Sequence, residues 1–276
     1  MWSYIDANTC TILSSKQHGF RKGFSTTTQL VHVVHNETEA LERKDDHHII
    51  SFDFSKALDK VPHSLMLQKL HAYSFKNKVC SWTEEWLRDR VSVVSVNGSR
   101  SGKFSVRSGV LQGSVLGLLL YLLFIEDIPN RVKLSQCRLY ADDTLLCSTN
   151  PKQDDLQHDV DELVLWAYKL GMTFNPLKCS HMQIGQEAPA LDITINDTPI
   201  PPTDSMKYLS VAIDSSLTWD THVHNIHVVR KLNRQLGMLK RHISHVATLN
   251  ACASMVLSLF LLEVYILMRH SKERSI

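Results

Sequence analysis

Two adjacent carboxylates, Asp142 and Asp143, lie in the segment RLYADDTLLCS, between apolar stretches that predict the two strands of a β-hairpin. Like charges side by side repel each other, and burying either one is costly unless a cation or hydrogen bonds compensate. A third carboxylate, Asp53, lies near the end of the strand-like segment HHIISFDF. Carboxylates from neighbouring strand ends form an oxygen-rich site suited to Mg²⁺, although paired acids at a hairpin tip are also typical of a solvated turn.

Helical and strand-like patterns predict the elements that position these carboxylates. Helices are predicted, from apolar residues at helical spacing, at 25–44, 63–73, 114–128 and 153–171. Strands are predicted, besides the hairpin, at 47–54, 91–98, 104–107, 178–184, 191–196 and 207–214. A long basic helical region is predicted to begin at Thr218. This order predicts an α+β fold in which helices pack on one face of a sheet and Asp53 approaches the hairpin tip.

The composition excludes some classes of protein. Thirty basic residues against 28 acidic ones fall far short of the excess that marks a nucleic-acid-binding protein by composition alone. Between residues 207 and 245, however, six Lys and Arg stand against two acids, a balance suited to a polyanion. The six cysteines form no CxxC pair, which argues against a structural zinc site or a disulfide framework and fits a reducing compartment. The apolar stretch 251–268 contains Glu263, so a buried or partner-packed helix is predicted there rather than a membrane span.

Six segments follow one another along the chain: QHGFRKGFSTTTQL, SFDFSKALDKVPHSLMLQKL, SGVLQGSVLG, LYADDTLL, FNPLKCSHM and YLSVAIDSSLTWDTHV. In this order and at this spacing they resemble the motifs of reverse transcriptases from non-LTR (LINE-like) retrotransposons. The resemblance covers nearly the whole chain. It implies an RNA-directed DNA polymerase that uses two Mg²⁺ ions, with Mn²⁺ as an alternative, and whose partners are an RNA template, a DNA primer and a dNTP.

The resemblance also implies a right-hand polymerase fold. Partial fingers are expected at 1–48, a palm with an antiparallel sheet, packed helices and some fingers elements at 49–206, and a primer-grip hairpin with a helical thumb at 207–276. The segment before Met1 that would complete the fingers is expected to be missing, so the chain is interpreted as N-terminally truncated. The expected location is intracellular, in a cytoplasmic ribonucleoprotein and the nucleus, without membrane association.

Roles for single residues follow from the same resemblance. The expected metal ligands are Asp53, the carbonyl of Phe54, Asp142 and, in a lesser role, Asp143. Lys178 is expected to protonate the leaving pyrophosphate, although a surface lysine is an alternative interpretation. The expected nucleotide and template contacts are Phe54, Leu58, Gln112, Gly113, Arg21 and Lys22, although a merely solvated turn is an equal alternative for Arg21 and Lys22. The expected primer-grip and thumb residues are Tyr208, Leu209, Lys231, Arg234, Lys240 and Arg241.

Four positions depart from the family pattern. Leu58 stands where the family usually has an aromatic residue that excludes a 2′ hydroxyl, Leu111 and Leu118 stand for prolines, and Ser210 stands for glycine. Leucine frees a φ angle that proline would fix, and serine enters positive φ only at a cost. A catalytically inactive nucleic-acid-binding remnant therefore stays open as an alternative. A viral-type RNA-templated RNA polymerase fits less well, because the hairpin reads Tyr-Ala-Asp-Asp rather than Gly-Asp-Asp.

Three further groups of polar residues are assigned no chemistry. DDHH at 45–48 is predicted to be a surface loop, because consecutive strand residues point to opposite faces and cannot converge on a metal. His222, His224 and His227 lack the spacing of one helical face and are predicted to belong to a polar surface. Asp59 is predicted to cap or pair locally.

Overall fold

The structure is a computed structural model that describes residues 12–185, 191–219 and 221–222. The chain divides into two units, Met1–Thr218 and Trp219–Ile276, and every element below belongs to the first. The expected thumb residues and the apolar stretch 251–268 lie outside the described residues. Within the described part of the chain, no helix combines the length and the hydropathy that crossing a membrane requires.

The strands, numbered along the chain, are β1 (His47–Phe52), β2 (Val91–Ser92), β3 (Ser95–Val96), β4 (Ser99–Arg100), β5 (Phe104–Ser105), β6 (Gln136–Tyr140), β7 (Asp143–Thr149), β8 (Ser180–Ile184), β9 (Ile193–Ile195), β10 (Thr198–Ile200), β11 (Ser205–Tyr208) and β12 (Val211–Asp214). β6, β7, β1 and β8 form a central antiparallel sheet in that order. The other strands form two-stranded pairs: β2 with β5, β3 with β4, β9 with β10, and β11 with β12.

The helices are α1 (Thr26–Arg43), α2 (His63–Ala72), α3 (Asn77–Leu87), α4 (Val115–Ile125) and α5 (Gln153–Lys169). Local sequence explains where α1 begins, because Ser25 and Thr28 exchange side-chain and backbone hydrogen bonds in a capping box. It ends at Arg43, and the next residue, Lys44, has a left-handed φ of 58°. α4 is apolar on nearly all sides and is correspondingly buried.

Both faces of the central sheet are covered. Ile50, Phe52 and Leu146 belong to the main hydrophobic core, which also contains side chains of α2 to α5. Ile49 and Met182 occupy the alternate positions and are fully buried outside that core, and α1 lies against β1 and β8. The sheet therefore lies between helices, whereas the sequence predicted helices on one face only.

The strongly patterned elements are confirmed close to their predicted bounds, namely the four predicted helices, the strands around 47–54 and 178–184, and the hairpin. α3 was not predicted, because half of its buried stripe is Cys80 and Thr83 and only Val79 and Leu87 are aliphatic. The predicted strand 91–98 divides into β2 and β3. The predicted strand 207–214 is a hairpin, β11 and β12, and β10 adds an unpredicted partner to β9.

Candidate active site

The turn between β6 and β7 carries the paired aspartates at the tip of a tight hairpin. Tyr140 pairs with Asp143, which leaves Ala141 and Asp142 as the connecting residues. Ala141 has a φ of 53°, the left-handed conformation that two-residue hairpin turns require. Burial of Leu139 and Leu145 in the adjoining strands fixes the hairpin in the sheet, so the acids lie where β6 ends and β7 begins.

The register between β1 and β7 brings the third carboxylate to the same end of the sheet as the hairpin turn. Phe52 lies opposite Thr144, so continuing the antiparallel register by one residue places Asp53 beside Asp143. Directly paired residues in such a ladder have Cα atoms about 5 Å apart. Carboxylates that are far apart in the sequence thus converge at the end of β1.

The pKa of Asp143 shows the effect of burial and of the neighbouring negative charges at this end of the strands. Burial raises its pKa to about 6, and the nearby charges of Asp142 and Asp53 contribute in the same direction. Burial likewise raises the pKa of Tyr121, with a contribution from Asp142 and Asp143. The Tyr121 hydroxyl is buried and has no hydrogen-bond partner in the described part of the chain. The site lies over the core yet holds an excess of negative charge.

Asp53 has an enclosed oxygen, Oδ1, that accepts no hydrogen bond from any residue that the structure describes. Lys178 Nζ lies 3.6 Å from this oxygen, within ion-pair distance but beyond hydrogen-bond distance. The loop before Lys178 is tied to the site, because the Asn175 N–H donates to the Asp53 carbonyl at 2.8 Å. Phe54 stacks on Phe174 with ring centroids 4.4 Å apart, which fixes the backbone next to Asp53.

The three carboxylates fit a divalent cation in donor type and charge. Oxygen donors are the ligands that Mg²⁺ prefers. A cation would coordinate Asp53 Oδ1, which accepts no hydrogen bond from the described residues, and would compensate the charge that raises the pKa of Asp143. Among the described residues, no group of three or more His, Cys, Asp and Glu side chains is already arranged to hold a metal ion. The ends of β1 and β7 thus provide oxygen ligands of the right type, but their side chains are not yet arranged around a metal position.

Comparison with known proteins identifies the family. Residues 3–213 match the family described as reverse transcriptase (RNA-dependent DNA polymerase). The chain belongs to the reverse transcriptase family. Its resemblance to retrotransposon reverse transcriptases, noted from the sequence motifs, is confirmed.

Two relatives come from mobile elements of Drosophila. The RNA-directed DNA polymerase from mobile element jockey of Drosophila funebris is 30% identical over 224 residues, which are 76% of this chain and 24% of that protein. The probable RNA-directed DNA polymerase from transposon BS of Drosophila melanogaster is 31% identical over 230 residues, 77% of this chain and 25% of that protein. This chain spans about a quarter of the length of these relatives.

Solved structures confirm the right-hand polymerase fold. An apo telomerase from Candida tropicalis, truncated from its C-terminal domain, superimposes with a TM-score of 0.58 at 15% identity, covering 79% of this chain and 44% of that chain. A telomerase from Candida tropicalis in complex with a TWJ fragment of telomeric RNA gives a TM-score of 0.58 at 12% identity, covering 99% of this chain and 47% of that chain. At these identities the likeness concerns the fold alone.

Two of the predicted nucleotide contacts of this reverse transcriptase chain, Gln112 and Gly113, lie in a loop before α4, and Leu58 lies in the segment that follows β1. Gln112 is exposed and donates from Nε2 to Asp59 Oδ1 at 3.0 Å. Gly113 has a φ of 81°, and a Cβ added there would meet no atom of the described residues within 4 Å. Leu58 is partly buried against the main core, and its carbonyl accepts from the Val110 N–H. The loop therefore packs against the segment that follows β1.

The predicted basic contacts of the partial fingers differ in their surroundings. Arg21 stacks on Phe24 and donates to the carbonyls of Ser14 and Gln17, so it holds its own loop together. Lys22 is exposed.

The predicted primer-grip residues form the turn of a hairpin. Leu209 and Ser210, with φ of 45° and 71°, connect β11 to β12. Tyr208 is buried, its hydroxyl accepts from Gln29 Nε2 at 3.0 Å, and the charge of Asp143 contributes to its raised pKa, after burial. The predicted thumb residues Lys231, Arg234, Lys240 and Arg241 lie outside the described residues, as do His224 and His227.

Two minor predictions are wrong. Asp59 does not pair locally, since its partner Gln112 is 53 residues away. His47 and His48 are not in a surface loop but buried in β1, where Nδ1 of His48 lies 2.8 Å from Nε2 of His181 and its Nε2 lies 3.0 Å from Asp46 Oδ2. His48 therefore contacts Asp46, two positions earlier in the chain, and His181 on the neighbouring strand β8. The prediction considered only consecutive positions and could not detect these contacts.

Sequence reasoning also missed Gln17, which contacts the aspartate turn directly. It is fully buried, and its Oε1 accepts from the Ala141 N–H at 3.0 Å. The motif QHGFRKG was recognised, but an isolated Gln in a loop gives no signal for a partner that lies 124 residues away.

Proposed function

We propose that this chain is the nucleotidyl-transfer core of an RNA-directed DNA polymerase, which extends a DNA primer on an RNA template with dNTPs. The observation that carries the proposal is the convergence of Asp53, at the end of β1, with Asp142 and Asp143 in the β6–β7 turn, in a chain of the reverse transcriptase family. In the reaction, the primer 3′ hydroxyl loses its proton to solvent and its oxygen forms a bond to the α-phosphorus of the dNTP. The bond from that phosphorus to the oxygen shared with the β-phosphate breaks, and pyrophosphate leaves.

The chain's residues divide this work between binding and proton transfer. Asp53, Asp142 and Asp143, with the Phe54 carbonyl, would hold two Mg²⁺ ions, or Mn²⁺ in their place. Such ions lower the pKa of the attacking hydroxyl and neutralise charge on the leaving group. Lys178 holds a proton at Nζ for the departing pyrophosphate, and its ion pair with Asp53 keeps it at the site.

The surrounding elements contact substrate and primer. The exposed loop at Gln112 and Gly113 lies along the incoming nucleotide and the template base, with Arg21 and Lys22 adding basic surface. Leu58 lies under the sugar, where it discriminates less sharply against a 2′ hydroxyl than an aromatic residue would. The turn at Leu209 after Tyr208 supports the primer end. The chain acts inside the cell, as part of a ribonucleoprotein.

A primer-extension assay with the chain, an RNA template, a DNA primer, dNTPs and Mg²⁺ tests the proposal. Template-dependent product from the wild-type chain, absent from Asp142→Asn, is expected. No product above the Asp142→Asn control, with RNA–DNA binding retained, would instead indicate the inactive nucleic-acid-binding remnant. The observation that favours the inactive remnant is Ser210, a non-glycine residue with a φ of 71° where the family pattern has glycine.

A further inference from the structure

The loop before α1 runs beside β6 as an added edge strand. The His18 N–H donates to the Leu139 carbonyl, and the Leu139 N–H donates to the Lys16 carbonyl, both at 2.9 Å. Gln17 bridges Leu139 in parallel orientation. Since β6 is the outer strand of the central sheet, this loop occupies the open edge next to the turn that carries Asp142.

The side chain of Gln17 joins this loop to the turn itself. Gln17 is fully buried, and its Oε1 accepts two backbone hydrogen bonds, from Gly19 at 2.7 Å and from Ala141 at 3.0 Å. Ala141 directly precedes Asp142 and holds the left-handed φ of 53°. One buried amide oxygen therefore fixes the backbone on both sides of the contact.

Gly19 makes the contact sterically feasible. A Cβ added to Gly19 would lie 2.4 Å from the Ala141 nitrogen and 3.0 Å from the Tyr140 carbonyl carbon, too close for any side chain. Glycine at this position serves close backbone approach. Arg21 closes the loop from the other side through the carbonyls of Ser14 and Gln17.

We propose that Gln17 is a positioning residue that sets the place of Asp142 by holding the Ala141 N–H, and that Gly19 admits the loop to that contact. The inference rests on the proposed function, because Asp142 matters there as a ligand. Gln17 itself touches neither substrate nor the reacting atoms. It acts through the backbone of the turn.

A positioning role and a purely structural role predict different losses in the variants of Gln17 and Gly19. Gln17→Met keeps length and burial but removes the acceptor, and Gly19→Ala pushes the loop away from Ala141. Both are expected to lower the extension rate at saturating primer–template by about 100-fold, as misplacement of a reacting group by about 1 Å does. Both are also expected to weaken Mn²⁺ binding, measured by calorimetry without nucleic acid, by about tenfold or more. Primer–template Kd should stay within about twofold of wild type.

Matched variants control for the substitutions. Gln136→Met changes an exposed glutamine at the other end of β6, and Gly102→Ala adds a Cβ that meets nothing within 4 Å. Both should behave as wild type. Gln17→Glu, which keeps an acceptor oxygen, should recover part of the rate and of the Mn²⁺ affinity.

Several results would overturn the proposal. One is a folded Gln17→Met or Gly19→Ala chain with wild-type extension rate and Mn²⁺ affinity. Another is a variant whose slower extension is accompanied by similarly weakened primer–template binding and by lower thermal stability, as expected of general damage to the fold. If neither variant folds, amide exchange of the wild-type chain decides, because the Ala141 N–H must exchange much more slowly than the exposed turn amide of Gly98. If the wild-type chain extends no primer, the proposed function fails, whereas Mn²⁺ binding and amide exchange still test the role of Gln17.

Discussion

Lys178, the proposed proton donor, forms an ion pair with Asp53, a proposed metal ligand. Their separation of 3.6 Å and the exposure of both side chains make the pair a weak contributor to stability. The same exposure leaves the ammonium group accessible to a leaving phosphate. A functional lysine and a merely structural one therefore differ in what their removal should affect.

Lys178→Ala is expected to lower the extension rate by about 10²-fold or more, because the leaving group loses its proton donor. Its free energy of unfolding should stay within about 0.5 kcal/mol of wild type, as measured by urea titration. Lys178→Arg restores the charge but holds its proton too tightly to donate it, so it should remain slow. Wild-type extension rates for Lys178→Ala would show that this residue is only a surface lysine.

Glu37 on α1 predicts how stability depends on pH. Burial raises its pKa to about 8, against the lowering effect of Arg138, and among residues 12–185, 191–219 and 221–222 neither of its carboxyl oxygens has a hydrogen-bond partner. The folded state therefore holds a proton there that the unfolded chain releases near its ordinary pKa of 4.5. Stability from this group is complete below that ordinary value and falls as the pH rises toward about 8.

Glu37→Gln is expected to remove this fall in stability. Each pKa unit corresponds to about 1.4 kcal/mol, so the wild-type free energy of unfolding should drop by several kcal/mol more than that of Glu37→Gln over this pH range. Urea unfolding at pH 5 and pH 8.5 measures the difference. Glu42→Gln, an exposed change on the same helix, is the control and should follow wild type. Parallel pH curves for wild type and Glu37→Gln would contradict the prediction.

Among the elements, the β11–β12 hairpin shows a local cost of sequence drift. Ser210 adopts a φ of 71°, a conformation that glycine enters freely and serine does not. The sequence predicted a cost at this position from the family pattern, and the backbone angle supports that reasoning. The hairpin nevertheless forms, with Tyr208 buried and bonded to Gln29.

Ser210→Gly is therefore expected to raise the free energy of unfolding by about 1 kcal/mol, through relief of backbone strain. Ser99→Gly, in the extended strand β4, should lower it by about 0.5 kcal/mol or more, because strand glycine only adds freedom to the unfolded chain. Thermal or urea unfolding of both variants gives the comparison. Destabilisation by Ser210→Gly would show that the turn is not strained.

The elements that the sequence predicted correctly are those in which a single period dominates. The apolar spacing of α5 and the alternation around the aspartate hairpin need no information from distant residues. α3 and β10 were missed because their buried residues are few or, in β10, interrupted by Pro199. The division of 207–214 into a hairpin depends on two left-handed non-glycine residues, which propensity argues against.

At the scale of the whole molecule, the sheet brings together residues that the sequence keeps apart. The motif order predicted that Asp53 would approach Asp142 and Asp143, and the antiparallel register of β1 and β7 places it there. The contacts of Gln17 with Ala141, Asp59 with Gln112 and His48 with His181 had no such signal. Each of these depends on packing between segments whose separation only the fold determines.

The most direct test of the account is primer extension on an RNA template by Asp53→Asn, Asp142→Asn and the double variant. Asp197→Asn, in an exposed turn that already holds a left-handed φ, serves as the control and should match wild type. If the two carboxylates act as one unit, each single variant loses about 10³-fold or more in rate and the double variant loses no more than either. Wild-type rates for Asp53→Asn alone would contradict the account, because the end of β1 would then take no part in the chemistry.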